Sequence, residues 1–280
     1  MSDIAHPSAQ QHQCGADANR AFRQPARRAP PIAGAATHQA GQAALISQMA
    51  DPLATAWLSL DSSDPSTLQA FILAIQALVQ HFGKASGAAA ASFYEHERRL
   101  AGVPGHFDVR ITPPNMDKVE ASVRWAVKDL WSPEPDLSTV HTLVQGVVEK
   151  DVLDTGRLTI IDAVHADKRA RGWARVPEPG CCSFCALLAT RGAVYHGERT
   201  YQRAIYAVGT NRVTGERTVT DKNSAEFEAH DHCRCHAEPI FGEYEPSAQI
   251  REWQQIYKES TKGVYGPVAM RRAFRKALAQ

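Results

Sequence analysis

The stretch RVPEPGCCSFCALLATRGAVY, residues 175–195, marks where the chain changes character. Before it, apolar residues recur at helical spacing; within it, Pro177, Pro179 and Gly180 interrupt that pattern and a cysteine-rich region begins. Five of the six cysteines lie between residues 181 and 235. Such clustering points to a metal rather than to the spread-out bridges of a disulfide scaffold. Cys182 and Cys185 have the Cys-x-x-Cys spacing whose tight knuckle aims two thiolates at one ion, and zinc asks for four soft or borderline ligands. The following ALLAT, residues 186–190, reads as a short helix closed by Gly192, which would set the two thiolates at its positive end.

The second half of the expected site is HDHCRC, residues 230–235, in which His230, Cys233 and Cys235 compete for two places and His232 is a further candidate. Cys181 adjoins the knuckle but breaks its spacing, and Cys14 reads as a bystander thiol. Structural zinc contributes on the order of 10 kcal/mol or more to folding in small domains. That matters in a segment with few large apolar side chains. Between the two halves, Tyr206–Val208 and Thr218–Thr220 flank Asn211–Gly215 as the strands of a hairpin flank its turn.

Upstream, Asp64-Pro65 starts a helix with Leu68, Phe71, Ile72, Ile75 and Val79 on one face, and a second helix is expected from Ser86 to Leu100, stopped by Gly102. Asn115 caps a third, with Met116, Val119, Val123, Ala126, Val127 and Leu130 on one stripe. A fourth is expected from Leu137 to Lys150 and a last from Val152 toward Arg171, with Leu158–Ile161 as an alternative local strand. Downstream of Pro246, Ile250, Trp253, Ile256 and Tyr257 fall at helical spacing, and Pro267–Leu278 forms a basic helix with Arg271, Arg272, Arg275 and Lys276.

The expected class is therefore α+β: a mainly helical N-terminal body, a small zinc-binding α/β-hairpin module and C-terminal helices. The expected divisions are a flexible arm over 1–36, a helical domain over 37–175, the zinc module over 176–245 and a helical tail over 246–280. At 280 residues and 44% hydrophobic content the chain can bury a substantial core. Thirty-one basic against thirty acidic residues leave a net charge of +1, so no global attraction to nucleic acid or an anionic membrane exists. The most apolar run, Phe71–Val79, is too short to span a bilayer, and the first twenty residues lack the apolar segment of a secretory signal. Neither a Gly-x-Ser-x-Gly elbow, a His-Glu-x-x-His motif nor a nucleotide-binding glycine loop occurs.

The 175–195 stretch together with HDHCRC resembles the MuF-like minor capsid proteins of tailed bacteriophages, more closely the branch of actinobacterial phages. The likeness covers residues 173–241, and extends more weakly through FYEHERRL, residues 93–100, and Gly156 to Trp173. It implies a phage head component, made in the host cytoplasm and carried in the virion. It also implies a role in head morphogenesis near the portal, with portal, scaffold and major capsid proteins as partners and zinc as a structural cofactor on Cys182, Cys185, His230, Cys233 and Cys235. Many such proteins are labelled capsid maturation proteases, which makes cleavage of scaffold or coat protein the alternative. Asp162, His165, Ser183 and His196 are candidate groups for it that the sequence does not rank. A nucleic-acid-binding zinc module is a third reading, encouraged by Arg234, the basic arm and the tail helix, and opposed by the balanced charge.

Overall fold

The structure, a computed structural model, describes residues 33–193, 208–210, 217–219 and 231–279. Helix α1, Ala33–Leu58, starts within the stretch read as an arm and continues through Pro52. Ile46, Met49, Leu53 and Ala56 repeat at three- and four-residue spacing and are buried, so one packed face carries the helix past the proline's missing N–H. Residues 1–32, including most of the expected arm and Cys14, lie outside the described residues.

Asp64 accepts a hydrogen bond from the backbone N–H of Ser66 (2.9 Å) and caps a single tight turn, Pro65–Thr67. This leads into α2, Leu68–Leu100. The sequence suggested two helices here, but the structure has one. Gly83 and Gly87 lie within it, where neighbours approach closely: a Cβ on Gly87 would stand 2.5 Å from Cγ2 of Ile111, and one on Gly83 3.0 Å from Oγ1 of Thr155. Helix α3, Met116–Ala126, begins at the expected cap, with Asn115 accepting from the N–H of Lys118 (3.0 Å). Val127 and Leu130 are buried as the stripe required, but in the turns that follow the helix.

Helix α4, Leu137–Ala166, is again one helix where two were expected; Asp136 caps it through the N–H of Thr139 (3.0 Å). The Leu158–Ile161 run is helical. Its β-branched residues Thr159, Ile160 and Ile161 are buried, and tertiary packing overrides their strand preference. The helix ends at Asp167, whose carboxylate receives Nε of Arg98 (2.9 Å) and the hydroxyl of Tyr94 (3.2 Å).

Strand β1, Gly172–Val176, spans the position that the sequence suggested as a domain boundary. Strands β2, Val208–Thr210, and β3, Arg217–Val219, pair antiparallel and overlap the expected hairpin at Val208 and Thr218–Val219, its turn lying outside the described residues. Strand β4, His236–Ile240, returns antiparallel to β1, with Gly172 opposite Ile240 and Val176 opposite His236. Helices α5, Ser183–Ala189, α6, Ala248–Ser260, and α7, Pro267–Leu278, complete the elements.

The chain divides into two compact units. The larger comprises Pro30–Val176 and Ala193–Tyr244, and its main core is built by α1 to α4. Phe71, Ile72, Ile75, Val79, Val123, Val144, Val148 and Val152 are completely buried there. The smaller includes Pro177–Gly192 and Glu245 onward, and Ala186, Leu187 and Ala189 of α5 pack with Ile250, Trp253 and Phe274 of the last two helices. Among the described residues, no helix is long and apolar enough to cross a membrane.

Candidate metal centre

The cysteines occupy two kinds of local structure. Cys182 is the N-cap of α5 in an extended conformation, and Cys185 lies one turn into that helix. The turn before it is made by Gly180 at φ +80°, and Gly192 at φ +64° follows its end, a left-handed geometry that glycine adopts without strain. Nε2 of Gln254 donates to the carbonyl of Thr190 (2.9 Å), fixing the C-terminal turn of α5 on α6.

Cys233 and Cys235 precede β4 and are held from beneath by α4. The guanidinium of Arg157, itself buried, donates from Nε to the carbonyl of Cys235 (2.9 Å), from one terminal nitrogen to the carbonyl of Cys233 and from the other to Oδ1 of Asp154 (2.8 Å). Asp154 also receives Lys150 (2.9 Å) and Lys118 (3.1 Å). Burial disfavours the charge on both members of the Asp154–Arg157 pair. The surrounding cations outweigh burial and lower the Asp154 pKa, while Asp154 and the sulfurs of Cys233 and Cys235 hold Arg157 protonated. The turn entering this arm comes close to α4 at Gly146, where a Cβ would meet Cβ of Asp231 at 2.8 Å and Nε2 of His232 at 2.9 Å. His232 adopts φ +58° and turns its ring toward Glu149, Nδ1 lying 3.4 Å from Oε2.

The sulfurs of Cys185, Cys233 and Cys235 lie within 4.8 Å of one another, and these residues are 1%, 2% and 2% exposed. Three buried thiols are thus close enough to hold a metal ion. The donor set suits zinc: Zn–S bonds of about 2.3 Å in a tetrahedral site put sulfurs roughly 3.8 Å apart, inside the 4.8 Å that bounds the three here. All five cysteines from 181 to 235 are thiols rather than disulfides. Cys182 is buried at the knuckle but is not among the three that come together, and His230 lies outside the described residues. Of the candidate proteolytic groups, Asp162 accepts a hydrogen bond from the hydroxyl of Thr112 (2.6 Å), His165 is exposed at the end of α4, Ser183 is the first residue of α5, and His196 lies outside the described residues.

Beside the Cys233–Cys235 arm is a small cavity lined by His38, Gln42, Gly156, Arg157, Cys235 and His236. His38 stacks on Phe93 with ring centroids 4.5 Å apart and meets His236 edge-on at 5.2 Å. Burial lowers the His38 pKa to about 4 and holds His236 well below its ordinary value, with His38 and Arg157 adding to the effect there, so both imidazoles are neutral at pH 7. Glu238 on β4 is pushed up to about 7 by burial and by the nearby Glu97. Arg157, Asp154 and Gly146 belong to neither cysteine motif. A signal for the first two was present: Asp154 and Arg157 stand three apart in the otherwise apolar VLDTGRLTII, the spacing of an intrahelical ion pair.

Neither a curated protein nor a solved structure matches the chain. The model of the VG15 protein family matches residues 32–260, from the start of α1 to the end of α6, and so includes both cysteine arms and the helices that carry them. This match takes in most of the chain, which therefore belongs to the VG15 protein family, a phage-associated family of viral gene proteins.

Proposed function

We propose that this protein is a minor head protein of a tailed bacteriophage, of MuF-like type, that acts in procapsid assembly near the portal and is carried in the virion. The observation that carries the reading is the family match over residues 32–260. It is supported by the MuF-like pairing of the Cys182–Cys185 knuckle with the His230–Cys235 segment. In this reading the long helices α1, α2 and α4 form a rigid body whose outer faces contact portal, scaffold or major capsid protein. The cysteines hold a structural zinc. Cys185, Cys233 and Cys235 supply three ligands, and Cys182 or His230 the fourth. Zinc bound there cross-links chain segments far apart in sequence, and its binding free energy adds to that of folding.

Two measurements test the proposal. Deletion of the gene from the phage is expected to abolish infectious particles and normal heads while leaving scaffold cleavage intact; normal heads in its absence would refute the assembly role. Metal analysis of the purified protein is expected to find one zinc per chain. Less than about half an equivalent, with unchanged folding of a Cys185→Ser, Cys233→Ser variant, would remove the zinc.

A further inference from the structure

We infer that Arg157 is a positioning residue that sets the Cys233-x-Cys235 arm for a soft divalent cation, so that the metal affinity of this arm is governed from inside helix α4. The inference rests on the zinc reading and adds to it a residue far from either cysteine motif in sequence.

The geometry is that of a guanidinium used in all three directions. Nε reaches the carbonyl of Cys235, one terminal nitrogen the carbonyl of Cys233, and the other the carboxylate of Asp154 one turn back on the same helix. The two carbonyls belong to the 233–234 and 235–236 peptides, so a single rigid fork holds the peptide plane that follows each of the two cysteines. With those planes held, the backbone rotation open to Cys233 and Cys235 is narrowed, and with it the space in which the sulfurs can move. A lysine at 157 would keep the charge but lacks the planar fork that serves two carbonyls and a carboxylate together.

Charge leads to the same conclusion. Zinc bound by three thiolates carries a net negative charge, and a buried charge needs a partner of opposite sign. Arg157 is buried beside the arm, with two of its nitrogens on the carbonyls of Cys233 and Cys235. Asp154 does not cancel it, because Lys150 and Lys118 share the same carboxylate. The fork thus supplies both orientation and compensating charge. Hydrogen-bonded residues behind metal ligands typically account for about 10- to 100-fold in metal affinity.

The test compares full-length wild type with Arg157→Lys, Arg157→Met and a control, Arg98→Met, which removes a different buried arginine paired with Asp167. Zinc affinity is measured by chelator competition, and the ligand field by the visible spectrum of the cobalt-substituted protein. Arg157→Met is expected to weaken zinc binding about 100-fold and Arg157→Lys about 10-fold, both with altered cobalt bands. Arg98→Met is expected to lower stability and leave both metal readouts at wild-type values. Should Arg157→Met fail to fold, Arg157→Lys decides. Wild-type affinity and cobalt spectrum in the Arg157 variants would overturn the inference and leave the zinc reading standing. A wild-type protein that binds no zinc would overturn both.

Discussion

Replacing Gly156 by alanine should destabilise the larger unit, although alanine is the better helix former. Gly156 lies in α4 where it crosses α2, and an added Cβ would stand 2.6 Å from Oγ of Ser86, 3.2 Å from the Ser86 carbonyl and 3.2 Å from Nε2 of Gln42. Those atoms are engaged with one another. The Ser86 hydroxyl donates to Oε1 of Gln42 (2.8 Å), and the Gln42 amide donates to the Ser86 carbonyl (3.1 Å). Helix propensity favours the variant by about 1 kcal/mol. Against this, overpacking costs about 1–3 kcal/mol and a disrupted buried hydrogen bond about 1–3 kcal/mol. The expected net loss is about 3 kcal/mol, from the sum of these effects. Gly41, in α1, supplies the control: nothing lies within 4 Å of its added Cβ, so Gly41→Ala should stabilise by about 0.5–1 kcal/mol. Urea denaturation followed by far-ultraviolet circular dichroism measures both. Ser86→Ala in the Gly156→Ala background should cost less than the two changes summed, because it removes the hydroxyl that clashes. Gly156→Ala as stable as wild type would refute the close crossing.

Three further outcomes can be checked on the same protein. Asp151 is buried, its Oδ2 has no hydrogen-bond partner among the described residues, and burial raises its pKa from 3.8 to about 6. Its folded-state value stands above the unfolded one, so its contribution is complete in acid and lost as pH rises through about 6. Asp151→Asn should therefore be more stable than wild type by on the order of 2–3 kcal/mol at pH 8, with the gap closing toward pH 4 in denaturation measured across that range. Asn115→Ala removes the cap on Lys118 and should cost about 1 kcal/mol in the same assay. Stripping zinc with a chelator should lower the thermal midpoint of wild type but not that of Cys233→Ser, which scanning calorimetry will show.

Much of the helical body is legible in the sequence because its signals are local. Asp64 and Asn115 act as caps, and Phe71, Ile72, Ile75 and Val79 mark the buried face of α2. What the sequence hides is continuity. Gly83, Gly87 and Gly156 are contact points whose meaning lies in Ile111, Thr155 and Ser86, all distant along the chain. Leu158–Ile161 carries a local strand preference inside a stretch whose length favours helix, and it is helical. At the candidate site, Cys185, Cys233 and Cys235 follow from spacing, because metal chemistry selects residue types at short intervals. Arg157 does not, because a long-range hydrogen bond to a backbone carbonyl carries no residue-type signature in the segment that accepts it.

Strands β1 and β4 pair over five residues although the chain between them runs from 177 to 235. Once they have paired, the ends of that intervening chain are fixed side by side, and its length enters the folding free energy only through a logarithm: doubling it costs about 0.6 kcal/mol. A shift of one residue in β1, by contrast, would exchange its two faces and move the buried Trp173 to the face that Ala174 now occupies. Loop entropy thus sets little limit on the length of the connection outside α5 and the cysteine arms, while the five-residue clasp itself cannot drift.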